Sequence, residues 1–195
     1  MSQVGKRVPD VRGAAVINGK EIKHDFGLND LKGNYVLLFF YPLDFTFVCP
    51  TELHAFQDKL SEFENKGCKV VGCSIDSVHS HLAWLETPIQ RGGIQGVTYP
   101  IISDINKEFG RAFDALKEDA GISYRATFLI DKEGVIRHVS INDLSLGRNV
   151  DECLRLLDAL QFVEAHGEVC PAGWQKGKKS MKPTQMGLSE YFKAP

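Results

Sequence analysis

The residues with the most to offer chemically lie between Tyr41 and Glu52. Cys49 stands before Pro50, Thr51 and Glu52, and follows Pro42 and Thr46 in the same segment. Proline suits the first position of a helix, because its missing N–H would have no partner there anyway. That places Cys49 at the N-cap. Free backbone N–H groups and the positive end of the helix dipole favour a thiolate at such a position. Glu52 then falls at N3, where a carboxylate favours the helix start. Thr46, three residues before the cysteine, can set its hydroxyl beside the sulfur. Such a constellation suits nucleophilic or redox chemistry at sulfur. A buried cysteine that only fills space remains open on these residues alone.

The elements that must position this segment follow from the hydrophobic pattern. Tyr35 to Phe40 is a continuous apolar run ended by Pro42, which suits a central strand buried on both faces. Leu53, Phe56, Leu60 and Phe63 recur at helical spacing, and Gly67 stops that helix. Cys49 is thereby expected where a buried strand passes into a helix. Lys69–Ile75 reads as a second buried strand and Val78–Glu86 as a short helix. Residues 87–99, with Pro88, Gly92, Gly93 and Gly96, read as loop. Ile105, Phe109 and Phe113 mark another helix. Ala126–Ile130 and Val135–Ile141 are strands joined by the turn Asp131-Lys132-Glu133-Gly134, and Asn149 with Glu152 forms a capping box for a final helix. Upstream, Asn18-Gly19 between Ala15–Ile17 and Lys20–Ile22 signals a hairpin. Strands alternating with helices imply an α/β sheet with helices on both faces.

The composition sets outer bounds. The chain has 195 residues, a net charge of −2, and is 43% hydrophobic and 25% charged. These values exclude a strongly basic nucleic-acid binder and a largely disordered chain. Five cysteines at this length do not fit a secreted disulfide scaffold and point to a reducing compartment. The N-terminal residues lack an apolar signal-peptide core, and the apolar run Val36–Phe40 is far short of the ~20 residues of a membrane span. A cytoplasmic location is the expectation, with no membrane and no nucleic-acid partner. Residues 166–195 carry four glycines, three prolines and five lysines against two glutamates, without sustained periodicity. Composition favours an idle tail. A docking arm is the other reading, because Cys170, Trp174, Tyr191 and Phe192 lie in it. The expected division is therefore a domain over 1–165 and an arm over 166–195.

Pro42, Thr46 and Cys49 fit the P-x-x-x-T-x-x-C signature of peroxiredoxins, and Phe45 to Glu52 resembles the form found in typical 2-Cys members. Arg125, in Tyr124–Phe128, matches the position of the family's active-site arginine. Residues 147–152 resemble its second arginine segment, carried here by Arg148. Residues 168–174 resemble its resolving-cysteine motif around Cys170. The resemblance covers nearly the whole chain. It implies a thioredoxin-like fold with an N-terminal β-hairpin extension and a C-terminal arm, reducing hydrogen peroxide and organic hydroperoxides, with no cofactor and no metal. Cys49 would be the attacking thiolate and pass to sulfenic acid. Cys170 of the partner subunit would resolve it as a disulfide. Thioredoxin or a similar dithiol would recycle it, serving antioxidant defence and redox signalling.

The same resemblance gives Thr46 and Arg125 as donors to the developing charge, Pro42 as a shield, and Glu52 and Arg148 as the groups that hold Arg125. It implies a two-fold homodimer, a decamer of five such dimers, and Tyr191-Phe192 as an anchor of the arm on the partner. A ring-forming holdase chaperone is the alternative. Gly92–Gly96 with Tyr191-Phe192 partly matches the motif pair of readily overoxidised forms, which implies intermediate sensitivity. Ionisation alone cannot supply the chemistry. A free thiol of pKa ~8.5 is about 3% ionised at pH 7, so complete ionisation gains only about 30-fold.

Other candidates are weaker. Cys68, Cys73, His79 and His81 have poor zinc spacing. Cys153 reads as packing or as a half-exposed thiol. His54 reads as a surface or partner-facing residue rather than a base. Lys176, Lys178, Lys179 and Lys182 read as a solvated face. Phe45, Phe47 and Trp84 are candidates for contacts between dimers, or equally for the core.

Overall fold

The computed structural model of the chain describes residues 2–193. Its residues form two compact units that divide between Val150 and Asp151. The first unit opens with the hairpin β1 (Arg12–Ile17) and β2 (Glu21–Gly27). Asn18 and Gly19 turn it at φ 54° and 70°, the left-handed conformation that an Asn-Gly pair adopts at little cost. β3 (Tyr35–Phe40) is buried at all six positions. It passes through residues 41–48 into α1 (Cys49–Asp58) and α2 (Leu60–Asn65). β4 (Cys68–Ser74), α3 (Val78–Glu86), β5 (Ile101–Ser103) and α4 (Glu108–Ala112) follow. A two-residue pair, β6 (Leu116–Lys117) and β7 (Ile122–Ser123), precedes β8 (Arg125–Ile130) and β9 (Ile136–Asn142).

Seven strands form one mixed sheet in the order β2-β1-β5-β4-β3-β8-β9. β3 lies at its interior, parallel to β4 and antiparallel to β8, with Phe39 opposite Thr127. Alternate side chains of β3 serve opposite faces. Phe39 stacks on Phe56 of α1 at 4.3 Å, whereas Phe40 packs against Phe113 and Phe128. Val36, Leu38, Ala126, Ile130 and Phe109 complete the core on the Phe40 side. Each large side chain so buried contributes about 1.5–3 kcal/mol. The fully apolar pattern of β3 follows from covering both faces, and it makes the carboxyl end of that strand a rigid platform for residues 41–49.

Two local expectations are corrected, and short strands the sequence did not signal are added. The helix expected across Leu53–Phe63 is two helices, interrupted at Lys59, because the apolar spacing carries across a break in the backbone. Ile105 is 65% exposed and outside a helix, since the Asp104 carboxylate accepts the N–H groups of Phe109 and Gly110 and holds the start of α4 at Glu108. β5 and the β6–β7 pair have three residues or fewer per strand, too short to show a period. Residues 87–99 are loop as expected, apart from one 3-10 turn at Ile89–Arg91.

The second unit consists of most of α5 (Val150–His166), an irregular stretch, and α6 (Gln185–Lys193). The tail expectation of no regular structure is corrected by α6. Residues 169 and 181 form a two-bonded bridge, so the chain between them closes into a loop carrying Cys170. Trp174 is buried against Phe162 of α5, with ring centroids 4.8 Å apart, and Arg155 donates to its carbonyl at 2.8 Å. No helix among the described residues is long and apolar enough to cross a membrane.

Candidate active site

The helix start lies one residue earlier than the sequence suggested. The N–H groups of Thr51 and Glu52 both donate to the Val48 carbonyl, so Val48 is the N-cap, Cys49 is the first helical residue and Pro50 the second. Proline is as well suited there, because its N–H would also lie among the unpaired donors of the first turn. Cys49 is wholly buried. The Thr46 hydroxyl lies 3.0 Å from its sulfur and 2.9 Å from the Leu43 carbonyl. One hydroxyl proton faces two acceptors. With the sulfur protonated, the S–H donates to Thr46 Oγ1 and the hydroxyl donates to Leu43. With a thiolate, the hydroxyl turns to the sulfur. Pro42 is buried in the same segment.

Arg125, the first residue of β8, reaches the sulfur from the neighbouring strand. Its Nη1 is 3.4 Å from Cys49 Sγ and 2.8 Å from Glu52 Oε2, and its Nε donates to the Leu144 carbonyl at 2.7 Å. Glu52 also accepts from Arg148 three times: from its backbone N–H, its Nε and its Nη2. Arg148 in turn donates to the carbonyls of Phe40 and Ala126 and stacks its guanidinium over the Phe39 ring at 5.0 Å. The side chains of Glu52, Arg125 and Arg148 are 2%, 5% and 3% exposed. Two guanidinium groups and one carboxylate leave the cluster with one net positive charge beside the sulfur. A single negative charge, on the sulfur or on an oxygen next to it, completes the balance in a low-dielectric site.

Of the six residues expected in this centre, Thr46, Cys49, Glu52, Arg125 and Arg148 form one connected hydrogen-bonded group, and Pro42 is buried in the segment that carries Thr46 and Cys49. The carbonyl of Leu144, which orients Arg125, had no signal in the sequence. His54 is not at the sulfur. Its Nε2 pairs with the Gly93 carbonyl at 3.0 Å and ties α1 to the loop after α3. Gly93 suits that loop, since a Cβ there would overlap the Thr87 carbonyl. Trp84 is buried and donates to the Gly92 carbonyl, while Phe45 and Phe47 are 53% and 93% exposed. Cys68 and Cys73 are buried thiols, and Cys153 is buried rather than half-exposed. Among the described residues no group of three His, Cys, Asp or Glu side chains could hold a metal. In the second unit, Cys170 is half-buried with its sulfur near the Ala159 carbonyl. Tyr191 is half-buried under Lys179, whereas Phe192 is 76% exposed.

The AhpC/TSA family matches residues 4–139. The chain belongs to this family, the peroxiredoxins. The C-terminal domain of 1-Cys peroxiredoxin matches residues 159–194, a span that here includes Cys170. Peroxiredoxin-2 of Rattus norvegicus is 49% identical over 193 residues, covering 98% of this chain and 96% of the relative. A thioredoxin peroxidase of Echinococcus granulosus is 50% identical over 189 residues, covering 97% of each. The crystal structure of a reduced 2-Cys peroxiredoxin of Plasmodium vivax superposes with a TM-score of 0.96 at 43% identity, covering all of both chains. The fold of this peroxiredoxin is accordingly the thioredoxin-like one expected, and its activity is thiol-dependent peroxide reduction. The holdase alternative finds no support among these relatives.

Glu52→Gln tests the charge balance. The amide keeps the volume but leaves two buried cations without their shared anion, and removing one partner of a buried ion pair costs about 3–5 kcal/mol. Chemical unfolding of the reduced protein is expected to show a loss of about that size. A loss under about 0.5 kcal/mol, as at an exposed pair, would show that Glu52 does not hold the arginines.

Proposed function

We propose that the thiol chemistry of this peroxiredoxin starts at Cys49 and is completed by Cys170 of the partner subunit. The Cys49 thiolate attacks one oxygen of hydrogen peroxide or an alkyl hydroperoxide. The S–O bond forms as the O–O bond breaks. The leaving oxygen takes up a proton and departs as water or alcohol, and the sulfur is left as sulfenic acid, oxidised by two electrons. Negative charge grows on the leaving oxygen in this step. Arg125 Nη1 and the Thr46 hydroxyl are the donors positioned to stabilise it. Glu52 and Arg148 fix the Arg125 guanidinium, and Pro42 limits water at the sulfenate. The partner's Cys170 thiol then displaces water from the sulfenic sulfur to give an intersubunit disulfide, which thioredoxin or an equivalent dithiol reduces.

The observation that carries this reading is a wholly buried sulfur within 3.0 Å of a hydroxyl and 3.4 Å of a guanidinium. A structural thiol has no need of either. In this reading residues 1–165 form the peroxidase domain and residues 166–195 the arm that crosses to the partner. The subunits form a two-fold homodimer, five of which assemble into a decamer, in the cytoplasm. The exposed Phe192 ring supports an anchoring role for Tyr191-Phe192, because this chain leaves it uncovered.

Two measurements test the cysteine assignments. Peroxide consumption coupled to thioredoxin and its reductase is expected to vanish in Cys49→Ser. In Cys170→Ser, the disulfide-linked dimer seen on a non-reducing gel after peroxide is expected to disappear. A dimer that persists overturns the pairing. The second measurement is pH dependence. Burial pushes the Cys170 thiol up, and Arg155 opposes this only in part. A raised thiol is protonated at neutral pH, so its nucleophilic fraction grows as pH rises. Stopped-flow disulfide formation after one equivalent of peroxide is expected to accelerate between pH 6 and 8, by about tenfold per unit where the thiol form dominates. A flat profile contradicts the Cys170 step.

A further inference from the structure

A second set of buried polar side chains grips the segment that carries Thr46. The Asp44 and His81 side chains are 1% and 0% exposed. Asp44 Oδ1 accepts from the Tyr41 hydroxyl at 2.8 Å, and Oδ2 accepts from the Ser80 hydroxyl and from His81 Nδ1, each at 2.8 Å. The Asp44 N–H donates to Asp76 Oδ2 at 2.9 Å, which also accepts from Ser74. Three side chains therefore converge on the one Asp44 carboxyl group. Both ring nitrogens of His81 face acceptors, Asp44 at Nδ1 and the Ile102 carbonyl at Nε2, 3.3 Å away. The ring is thereby held at both ends. The pair thus joins the loop after β3 to α3 and β5.

Stability alone is a poor reason for such a group, because replacing both partners of a buried hydrogen bond by apolar side chains of the same shape is often nearly neutral or stabilising. The backbone next to it supplies a better one. Phe45, directly after Asp44, has φ 54°. An aromatic residue is strained there by about 1–2 kcal/mol, and such strain persists only where the surroundings over-determine it. Here Asp44 is fixed through its side chain and its N–H, and the Phe45 ring lies 5.8 Å from that of Trp84. The left-handed turn at Phe45 brings Thr46 back against Leu43, so that its hydroxyl lies between the Leu43 carbonyl and the sulfur.

We propose that Asp44 and His81 are positioning residues for peroxide reduction: by locking residues 43–46 in the strained turn they aim the Thr46 hydroxyl at the Cys49 sulfur. The inference rests on the reading of Cys49 as the thiol that attacks peroxide. Its test is a double-mutant cycle on the reduced full-length protein, Asp44→Asn against Thr46→Val, read as the stopped-flow rate with hydrogen peroxide. Asp44→Asn is expected to slow the reaction about tenfold or more on its own, and less than about twofold when Thr46→Val is already present. Phe45→Gly, which enters the left-handed region freely, is expected to restore part of the rate lost in Asp44→Asn. Effects that multiply in the double variant, or a wild-type rate in Asp44→Asn, overturn the proposal. If circular dichroism shows Asp44→Asn unfolded, the same cycle is run with Ser80→Ala, which removes one hydrogen bond to the carboxylate, and is judged by the same coupling. Cys49→Ser separates the two claims. If that variant keeps the fast reaction, the reading of Cys49 fails. If it loses the reaction while the cycle shows no coupling, only the positioning role fails.

Discussion

The carboxylate of Glu52, buried between two arginines, is the interaction on which the centre depends. It accepts one bond from Arg125 and three from Arg148. An anion in this place does two things. It lets two guanidinium groups lie side by side away from water, and it leaves one positive charge over. Without it, Arg125 and Arg148 would be two buried like charges with no shared partner. With it, Arg125 can point one nitrogen at the carboxylate and the same nitrogen toward the sulfur. The net charge is therefore a property of the cluster rather than of any one arginine.

The fold makes this arrangement rigid from four directions. Glu52 comes from the first turn of α1, Arg125 from the start of β8, and Arg148 from the segment just before α5. Arg148 also bonds the carbonyl of Phe40, at the end of β3. β3 is paired on both sides and buried on both faces, so its end is held by the sheet. The loop of residues 41–48 then sets the sulfur and hydroxyl against that fixed background. Its strained turn at Phe45 and the buried Asp44–His81 pair belong to the same scheme. Flexibility here would loosen the geometry on which charge stabilisation depends.

Much of the centre was legible in the sequence because its chemistry is local. Pro42, Thr46, Cys49 and Glu52 span eleven residues, and their order around a strand-to-helix turn carries its own physical logic. Arg125 and Arg148 are different. They lie 73 and 96 positions from Glu52, and only likeness to a family singled them out. The pairing of Asp44 with His81, 37 positions apart, had no such aid, and His81 was weighed only as a poor zinc ligand. In the fold, long runs such as Tyr35–Phe40 were plain. Features decided by one side chain or a few residues were not: the break at Lys59, the cap that Asp104 places on α4, and the three residues of β5. α6 was missed because its apolar residues Met186, Leu188 and Phe192 are exposed in this chain, so burial imposed no pattern to read.

The central claim is that the cluster acts on the oxygen–oxygen bond and not only on the ionisation of the sulfur. Arg125→Met separates the two, measured as the rate of the reduced protein with hydrogen peroxide beside the rate of Cys49 alkylation followed by mass spectrometry. The peroxide rate is expected to fall about 10²–10³-fold, as when a key donor to a developing oxyanion is removed. Alkylation, which needs only the thiolate, is expected to fall by no more than about 30-fold. Equal losses in the two rates would show that the arginine works through ionisation alone and would contradict the account.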